Sequence, residues 1–207
     1  MSNYLNDKRE DPPPGWPQGV VYTSRLVWSK AVPKSLQDLY TLPMKSPLDR
    51  NDFFARNVNI RSSEVAGCID TKQTRKRVRI RQITDPQHPC QGAYGLFATT
   101  VLPPKSFVLD YIGVVEHEDS YSKTSDYVLR FGPNLSIDAE KIGNEGRFVN
   151  DYRGCGPKPN VQFLNYLDER TGHVRIGVFV LGEKIKKGEE LLVTYGKSFW
   201  KSRGLIS

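Results

Sequence analysis

Beyond Gln82 the chain alternates between short apolar or β-branched runs and clusters of turn-forming residues. The runs lie at 96–99, 107–115, 127–131, 135–137, 161–167, 174–181 and 190–195. Between them stand Pro103 and Pro104, Gly132-Pro133-Asn134, the stretch 154–157, and Lys187-Gly188, residues that fix or permit the backbone angles of turns. No run keeps a 3.6-residue period for three turns, so the pattern predicts strands rather than helices. A mostly β domain with few short helices is the expectation for this half.

Upstream the pattern is broken. Residues 1–18 contain Pro12, Pro13, Pro14, Gly15 and Pro17, which cannot keep a helix or a sheet ladder. They read as a flexible proline-rich lead-in. Residues 19–76 are mixed: Val20, Val21 and Tyr22 suggest a short strand, and 35–40 begins like a capped helical turn. Pro33, Pro43 and Pro47 keep every element short, so 19–76 reads as an irregular N-terminal region. The β-rich unit then occupies 77–203. At its start, 72–81 carries Lys72, Arg75, Lys76, Arg77, Arg79 and Arg81 without one acid. Arg77, Arg79 and Arg81 alternate with Val78 and Ile80, the period of a half-buried strand with a basic solvent face.

Composition narrows the picture. Of 207 residues, 38% are hydrophobic, including ten Tyr, nine Phe and three Trp, enough for a core and too many for general disorder. The longest apolar run, 178–181, is far too short to cross a bilayer, and the polar start at 1–11 does not read as a secretory signal. Cys68, Cys90 and Cys155 are odd in number and include no C-x-x-C pair. That disfavours a disulfide framework or an all-cysteine zinc site and fits a reducing, intracellular setting. A formal charge of +7 is compatible with a polyanion beside the partner, and equally with an ordinary basic enzyme.

Candidate chemistry starts at Gln91-Gly92-Ala93-Tyr94-Gly95, whose glycines let backbone approach a ligand closely. It is neither a dinucleotide fingerprint nor a phosphate loop, because a strand follows and no Gly-Lys-Ser/Thr is present. Four further segments follow: Asp110-Tyr111-Ile112-Gly113, the stretch Gly146-Arg147-Phe148-Val149-Asn150-Asp151, Pro159-Asn160, and 188–196 with Glu189, Glu190, Thr194 and Tyr195. Taken in this order with the glycine turn, the series resembles the SET-domain protein lysine methyltransferases over roughly 78–203. The ending Tyr195, Gly196, Phe199, Trp200 is similar to that of some members.

The resemblance implies a β-clip-like fold of small curved sheets, with the C-terminal segment passing under a loop. Such pseudoknot-like threading is uncommon. It further implies that S-adenosyl-L-methionine lies on one face, the substrate lysine enters from the other, and the two meet in a narrow channel. Tyr195 would stand at the methyl-transfer point with Tyr111 across from it. Asn150 and Asp151 would serve the adenine end, Ala93 and Tyr94 the methionine end through backbone, with Tyr127 touching the cofactor and Phe199 and Trp200 folding over it. No metal is implied. Phe163 and Val193 occupy the two candidate places near the amine, and neither carries a hydroxyl, which leans toward di- or trimethylation. The amine must lose a proton from a reference pKa near 10.4, and a water-poor channel beside a sulfonium favours that loss.

The chain departs from the family where Asp151 replaces His, Tyr152 replaces Ser, and the loop before Asn160 is longer. Ala93 stands where many members have Gly, and Thr194 where many have Asp. No cysteine follows Tyr195, so the zinc-binding flank is missing and the aromatic C-terminal segment would have to close the site. The expected partner is a basic protein, foremost a histone tail, with a ribosomal or translation-factor lysine as the alternative target and an inactive SET-like binding module as the alternative class. Lys72, Arg75, Lys76, Arg77, Arg79 and Arg81 would face nucleosomal DNA or an RNA backbone. The expected location is nuclear, with the cytoplasm as alternative and no membrane contact.

Overall fold

The computed structural model describes residues 10–41, 57–66, 71–202 and 204. Its centre is a hairpin of two long strands, β12 (Val161–Asp168) and β13 (His173–Val180), paired from Val161 opposite Val180 to Asp168 opposite His173. The turn closes on the Asp168 carbonyl, which accepts from Thr171 and Gly172. Gly172 has φ +72°, where a side chain would be strained. β3 (Ile60–Arg61) flanks the hairpin in parallel and β6 (Phe107–Asp110) in antiparallel fashion. Phe107, Tyr166 and Phe179 pack edge to face in this sheet, with centroids 5.5–5.7 Å apart. Beneath them the buried Asp110 carboxylate accepts from the Tyr166 hydroxyl at 2.7 Å and from Arg175 at 3.0 Å, so its charge is partnered on both oxygens.

A second sheet has the order β2 (Val27–Trp28), β7 (Val114–His117), β9 (Leu135–Asp138), β8 (Val128–Arg130). The apolar run 107–115 therefore does not form one strand. It breaks at 111–113 and changes sheet, β6 going to one and β7 to the other. Gly113 permits the change, because a Cβ there would collide with the Asp138 carbonyl. A third sheet pairs β4 (Val78–Gln82) with β5 (Tyr94–Ala98). Val78 and Ile80 are buried while Arg79 and Arg81 are exposed, as the alternation predicts. The first part of the basic run is instead helical, α2 (Thr71–Thr74) followed by a tight turn at Arg75–Arg77. The Lys72 side chain lies outside the described residues.

Residues 10–18 form neither helix nor ladder, yet Trp16 is anchored. Its indole donates to the Val20 carbonyl at 2.8 Å and meets Tyr22 and Phe148 edge to face. β1 (Val21–Tyr22) pairs in parallel with β10 (Ile142–Gly143), and β2 with β7. Helix α1 (Lys34–Thr41) buries Tyr40, whose hydroxyl donates to the Phe131 carbonyl. The N-terminal stretch thus supplies edge strands and core aromatics to the later half, although its local pattern is irregular. Pro43, Pro47 and Cys68 lie outside the described residues. No helix among the described residues is long and apolar enough to cross a membrane.

The last strands carry the threading. β11 (Asn150–Asp151) pairs in parallel with β14 (Leu192–Val193). On its other side the same segment bonds to β5, with Leu191 donating to the Leu96 carbonyl at 2.8 Å. Asn160 clamps it as well: its amide oxygen accepts from Leu192, its amide nitrogen donates to the Glu190 carbonyl, and its backbone donates to Leu192. Residues 190–193 therefore run between β5 and the loop from Asn150 to Asn160. Helix α3 (Lys197–Ser202) follows.

Candidate active site

Where the two sheets and the threaded segment meet there is a cavity of about 70 Å³, walled by Tyr111, Tyr127, Arg147, Val149, Phe163, Tyr195 and Phe199. The strand-to-sheet switch at 111–113 brings Tyr111 in, and the threading brings Tyr195. The Tyr195 hydroxyl donates to the Val149 carbonyl at 3.0 Å. The Tyr111 hydroxyl donates to the Tyr127 carbonyl at 2.6 Å. Each phenol has one hydrogen, and each has given it to a group that can only accept. Both oxygens are therefore left as acceptors for an N–H donor. Burial pushes both phenols above their ordinary range, aided for Tyr111 by Tyr195 and Asp138, and for Tyr195 by Cys90 and Asp151. Phenols raised in this way stay neutral at physiological pH. Phe163 meets the Tyr111 ring edge to face at 5.3 Å, and the Arg147 guanidinium lies 4.1 Å above the Tyr127 ring.

Asp151 is the hub behind this cavity. Its buried carboxylate accepts from the backbone of Tyr195 at 2.7 Å, the Trp200 indole at 3.3 Å, and the backbone and guanidinium of Arg153 at 2.9–3.1 Å. A side chain so occupied faces protein donors, which leaves its backbone for any cofactor contact. Trp200 stacks on Tyr195 with planes 21° apart, and Phe199 packs edge to face on Tyr195 at 4.7 Å. α3 is thereby pinned by its aromatic pair over one end of the cavity.

Asn150 faces the other way. Its amide nitrogen donates to the Tyr94 carbonyl at 3.1 Å and to Glu190 at 2.8 Å. The Tyr94 ring packs on Phe148. Ala93 is exposed, and its backbone is engaged within the turn: its N–H donates to Cys90 and its carbonyl accepts from Ile83. The glycine turn also carries a different meaning from the one its sequence suggests. A Cβ at Gly95 would collide with the Glu190 carboxylate, so this glycine makes room for a side chain rather than for a ligand.

Of the two residues expected near the amine, Phe163 lines the cavity and Val193 does not. Val193 is buried in the core, opposite Asp151 in the short parallel pair, because the parallel register turns it inward. Arg147, Glu190, Arg153 and His88 belong to the site's surroundings, and the sequence gives no sign of their roles beyond the motif positions of Arg147 and Glu190. Burial raises both described thiols, Cys155 to about 11, which favours the thiol over the reactive thiolate. Among the described residues, no group of three His, Cys, Asp or Glu could hold a metal ion.

Comparison with known proteins agrees with this architecture. A "Histone-lysine N-methyltransferase, H3 lysine-36 specific" of Mycosarcoma maydis is 27% identical over 166 residues, covering 67% of this chain and 16% of that protein. A "Histone-lysine N-methyltransferase, H3 lysine-4 specific" of Candida albicans is 33% identical over 112 residues, covering 49% of this chain and 10% of that protein. The chain thus spans a small fraction of the relatives it matches. In fold it is similar to KRYPTONITE, solved with mCHH DNA, an H3(1–15) peptide and SAH, with a TM-score of 0.50 and 19% identity over 86% of this chain and 41% of that one. The SET domain family model matches residues 93–196, which takes in the end of the glycine turn from Ala93, Tyr111, the Asn150 loop and the threaded Tyr195, and the chain belongs to the SET domain family.

Proposed function

We propose that this chain is an S-adenosyl-L-methionine-dependent protein-lysine N-methyltransferase acting on a histone lysine in the nucleus, with 77–203 as its catalytic unit. The observation that carries the reading is the pair of neutral phenols, Tyr195 and Tyr111, whose committed hydrogens leave two acceptors in one narrow aromatic cavity. Histone-lysine methyltransferases among the relatives support the substrate class.

The residues fit the cofactor. Asn150 offers an amide oxygen that accepts from no group among the described residues, and Trp200 and Tyr195 offer stacked aromatic faces. The bound cofactor would supply an electrophilic methyl group. The chain's own part is to deliver a neutral amine in line with it. β8 is an edge strand of its sheet, and Val128 and Leu129 on it line the cavity, so an extended peptide laid there can insert a lysine. The aromatic walls exclude water and favour the uncharged amine. In the first transfer the phenol oxygens accept the amine's two N–H groups, which turns the lone pair along the channel; the second transfer has one N–H to hold, and a third relies on the aromatic walls alone. Positioning supplies most of the rate in such a site.

Phe163 gives the cavity wall no hydroxyl to hold a water beside the amine, so the product is di- or trimethyl-lysine. Time-resolved mass spectrometry of an H3 peptide, with ribosomes as a competing substrate, tests both points. Accumulation of higher methyl states on H3 supports the reading. Monomethyl product alone at long times overturns the product assignment, methylation of ribosomes alone overturns the substrate, and no binding of S-adenosylmethionine leaves a binding module.

A further inference from the structure

Asp138 closes β9 at the point where the strands on either side come level, opposite Val114 of β7 and Val128 of β8. Tyr111 stands shortly before Val114 and Tyr127 directly before Val128, and both wall the cavity. We infer that Ser125, tied to Asp138, is a positioning residue for methyl transfer: it holds the Tyr127 backbone so that the Tyr127 carbonyl keeps the Tyr111 hydrogen. The inference rests on the methyltransferase reading above.

Ser125 is buried, and its hydroxyl has one hydrogen and two lone pairs. A carboxylate oxygen only accepts, so the Ser125 hydroxyl donates to Asp138 Oδ1, at 2.8 Å. A lone pair on the same hydroxyl oxygen then accepts the Tyr127 N–H at 3.1 Å. The Glu140 N–H donates to the same Asp138 oxygen at 2.9 Å, which keeps the carboxylate in place. Tyr127 is fixed at its other end by the Ala139 N–H, which donates to the Tyr127 carbonyl at 3.1 Å. Residues 138 and 139 thus grip Tyr127 on both sides of its Cα. The carbonyl has two lone pairs; Ala139 meets one, and the Tyr111 hydroxyl meets the other at 2.6 Å.

The direction of that one hydrogen decides what Tyr111 offers the amine. While the Tyr127 carbonyl holds it, the phenol presents an acceptor to an amine N–H. If the carbonyl moves out of line, the phenol hydrogen turns into the cavity and donates to the amine lone pair. That electron pair is the one that must attack the methyl group, so the attack is masked. Ser125 does not wall the cavity, and its effect on the reaction runs through Tyr127.

A double-mutant cycle on the full chain tests the inference, read as the single-turnover rate of methyl transfer to an H3 peptide at saturating S-adenosylmethionine. Ser125→Ala removes the acceptor of the Tyr127 N–H and should lower the rate about 3- to 10-fold, the size of one hydrogen bond. In Tyr111→Phe there is no phenol hydrogen to misdirect, so adding Ser125→Ala should change the remaining rate by less than about twofold. A merely structural role for Ser125 would lower the rate in both backgrounds. A loss above about twofold in the Tyr111→Phe background, or no loss in Ser125→Ala alone, therefore overturns the positioning role. Should Ser125→Ala fail to fold, Ser125→Cys, a weaker donor and acceptor of similar shape, enters the same cycle. Failure of the unmodified chain to transfer methyl overturns the methyltransferase reading, and this inference with it.

Discussion

At Tyr195 the hydroxyl hydrogen goes to Val149, and at Tyr111 to Tyr127, so what each offers the cavity is an oxygen lone pair. Tyr195→Phe removes that acceptor and leaves the Val149 carbonyl without its donor. Methyl transfer should fall about 100-fold or more, as when one positioned polar group is lost, with little change in S-adenosylmethionine affinity. Tyr111→Phe should fall in the same direction. Both phenols titrate above their ordinary range, so neither changes charge as pH rises from 6 to 9 at the reference value near 10 or beyond. The rising limb of the pH–rate profile therefore belongs to the substrate amine. Its midpoint should be the same in the Tyr111→Phe enzyme, and a shifted midpoint would assign the proton to the tyrosine. The sequence singles out Tyr195, Tyr111 and Asn150 because each lies inside a motif of fixed spacing, and the structure brings the two tyrosines to one cavity. Val193 was misplaced because a two-residue parallel pairing, invisible to periodicity, turns it into the core. His88 was missed because its partner, Glu190, lies far along the chain.

The short elements around the site are held by single buried groups rather than by length. β11 pairs through two residues, Asn150 and Asp151, with Leu192 and Val193, and α3 has six residues. Neither would persist alone. Asp151 joins them, since one carboxylate accepts from the Tyr195 backbone, the Trp200 indole and Arg153. Asp151→Asn keeps the shape but offers one acceptor oxygen, leaving buried donors unmatched at a cost of about 1–3 kcal/mol. Asp151→His, the residue the family resemblance expects here, should be no better, because a neutral imidazole has one acceptor nitrogen. Trp200→Phe, which keeps a ring and removes only the N–H, should cost about 1 kcal/mol. Urea unfolding of the three variants reads these differences, and equal stability of Asp151→Asn and the unmodified chain would deny the hub. The sequence marked Asp151 as a departure and Trp200 as a closing aromatic, but not that the one holds the other. The single strand read at 107–115 divided because Gly113 lets the chain pass against Asp138, a tertiary contact without a local signature.

Across the whole molecule, the mostly β character was legible from turn residues and alternation, while the assembly was not. β1 and β2 pair in parallel with strands more than 80 residues away, and Trp16 seats on Phe148, so an irregular-looking start is part of the later core. Charge is likewise organised only at this scale. Arg79 and Arg81 are exposed on β4 beside Arg75 and Lys76, along a groove of about 610 Å³ whose other wall is Pro12–Pro14 and Gly15. A phosphate backbone on this face would add affinity for nucleosomes without altering the chemistry. Arg79→Ala with Arg81→Ala should reduce the salt slope of nucleosome binding by about two, with methylation of a free H3 peptide unchanged. An unchanged slope would remove nucleic acid from this face. The central claim is that the threaded Tyr195 and the switched Tyr111 build one methyl-transfer channel, and the most direct measurement is transfer of labelled methyl from S-adenosylmethionine to histone H3. The unmodified chain should label H3, and Tyr195→Phe should bind the cofactor and fail to transfer; equal labelling by both would contradict the account.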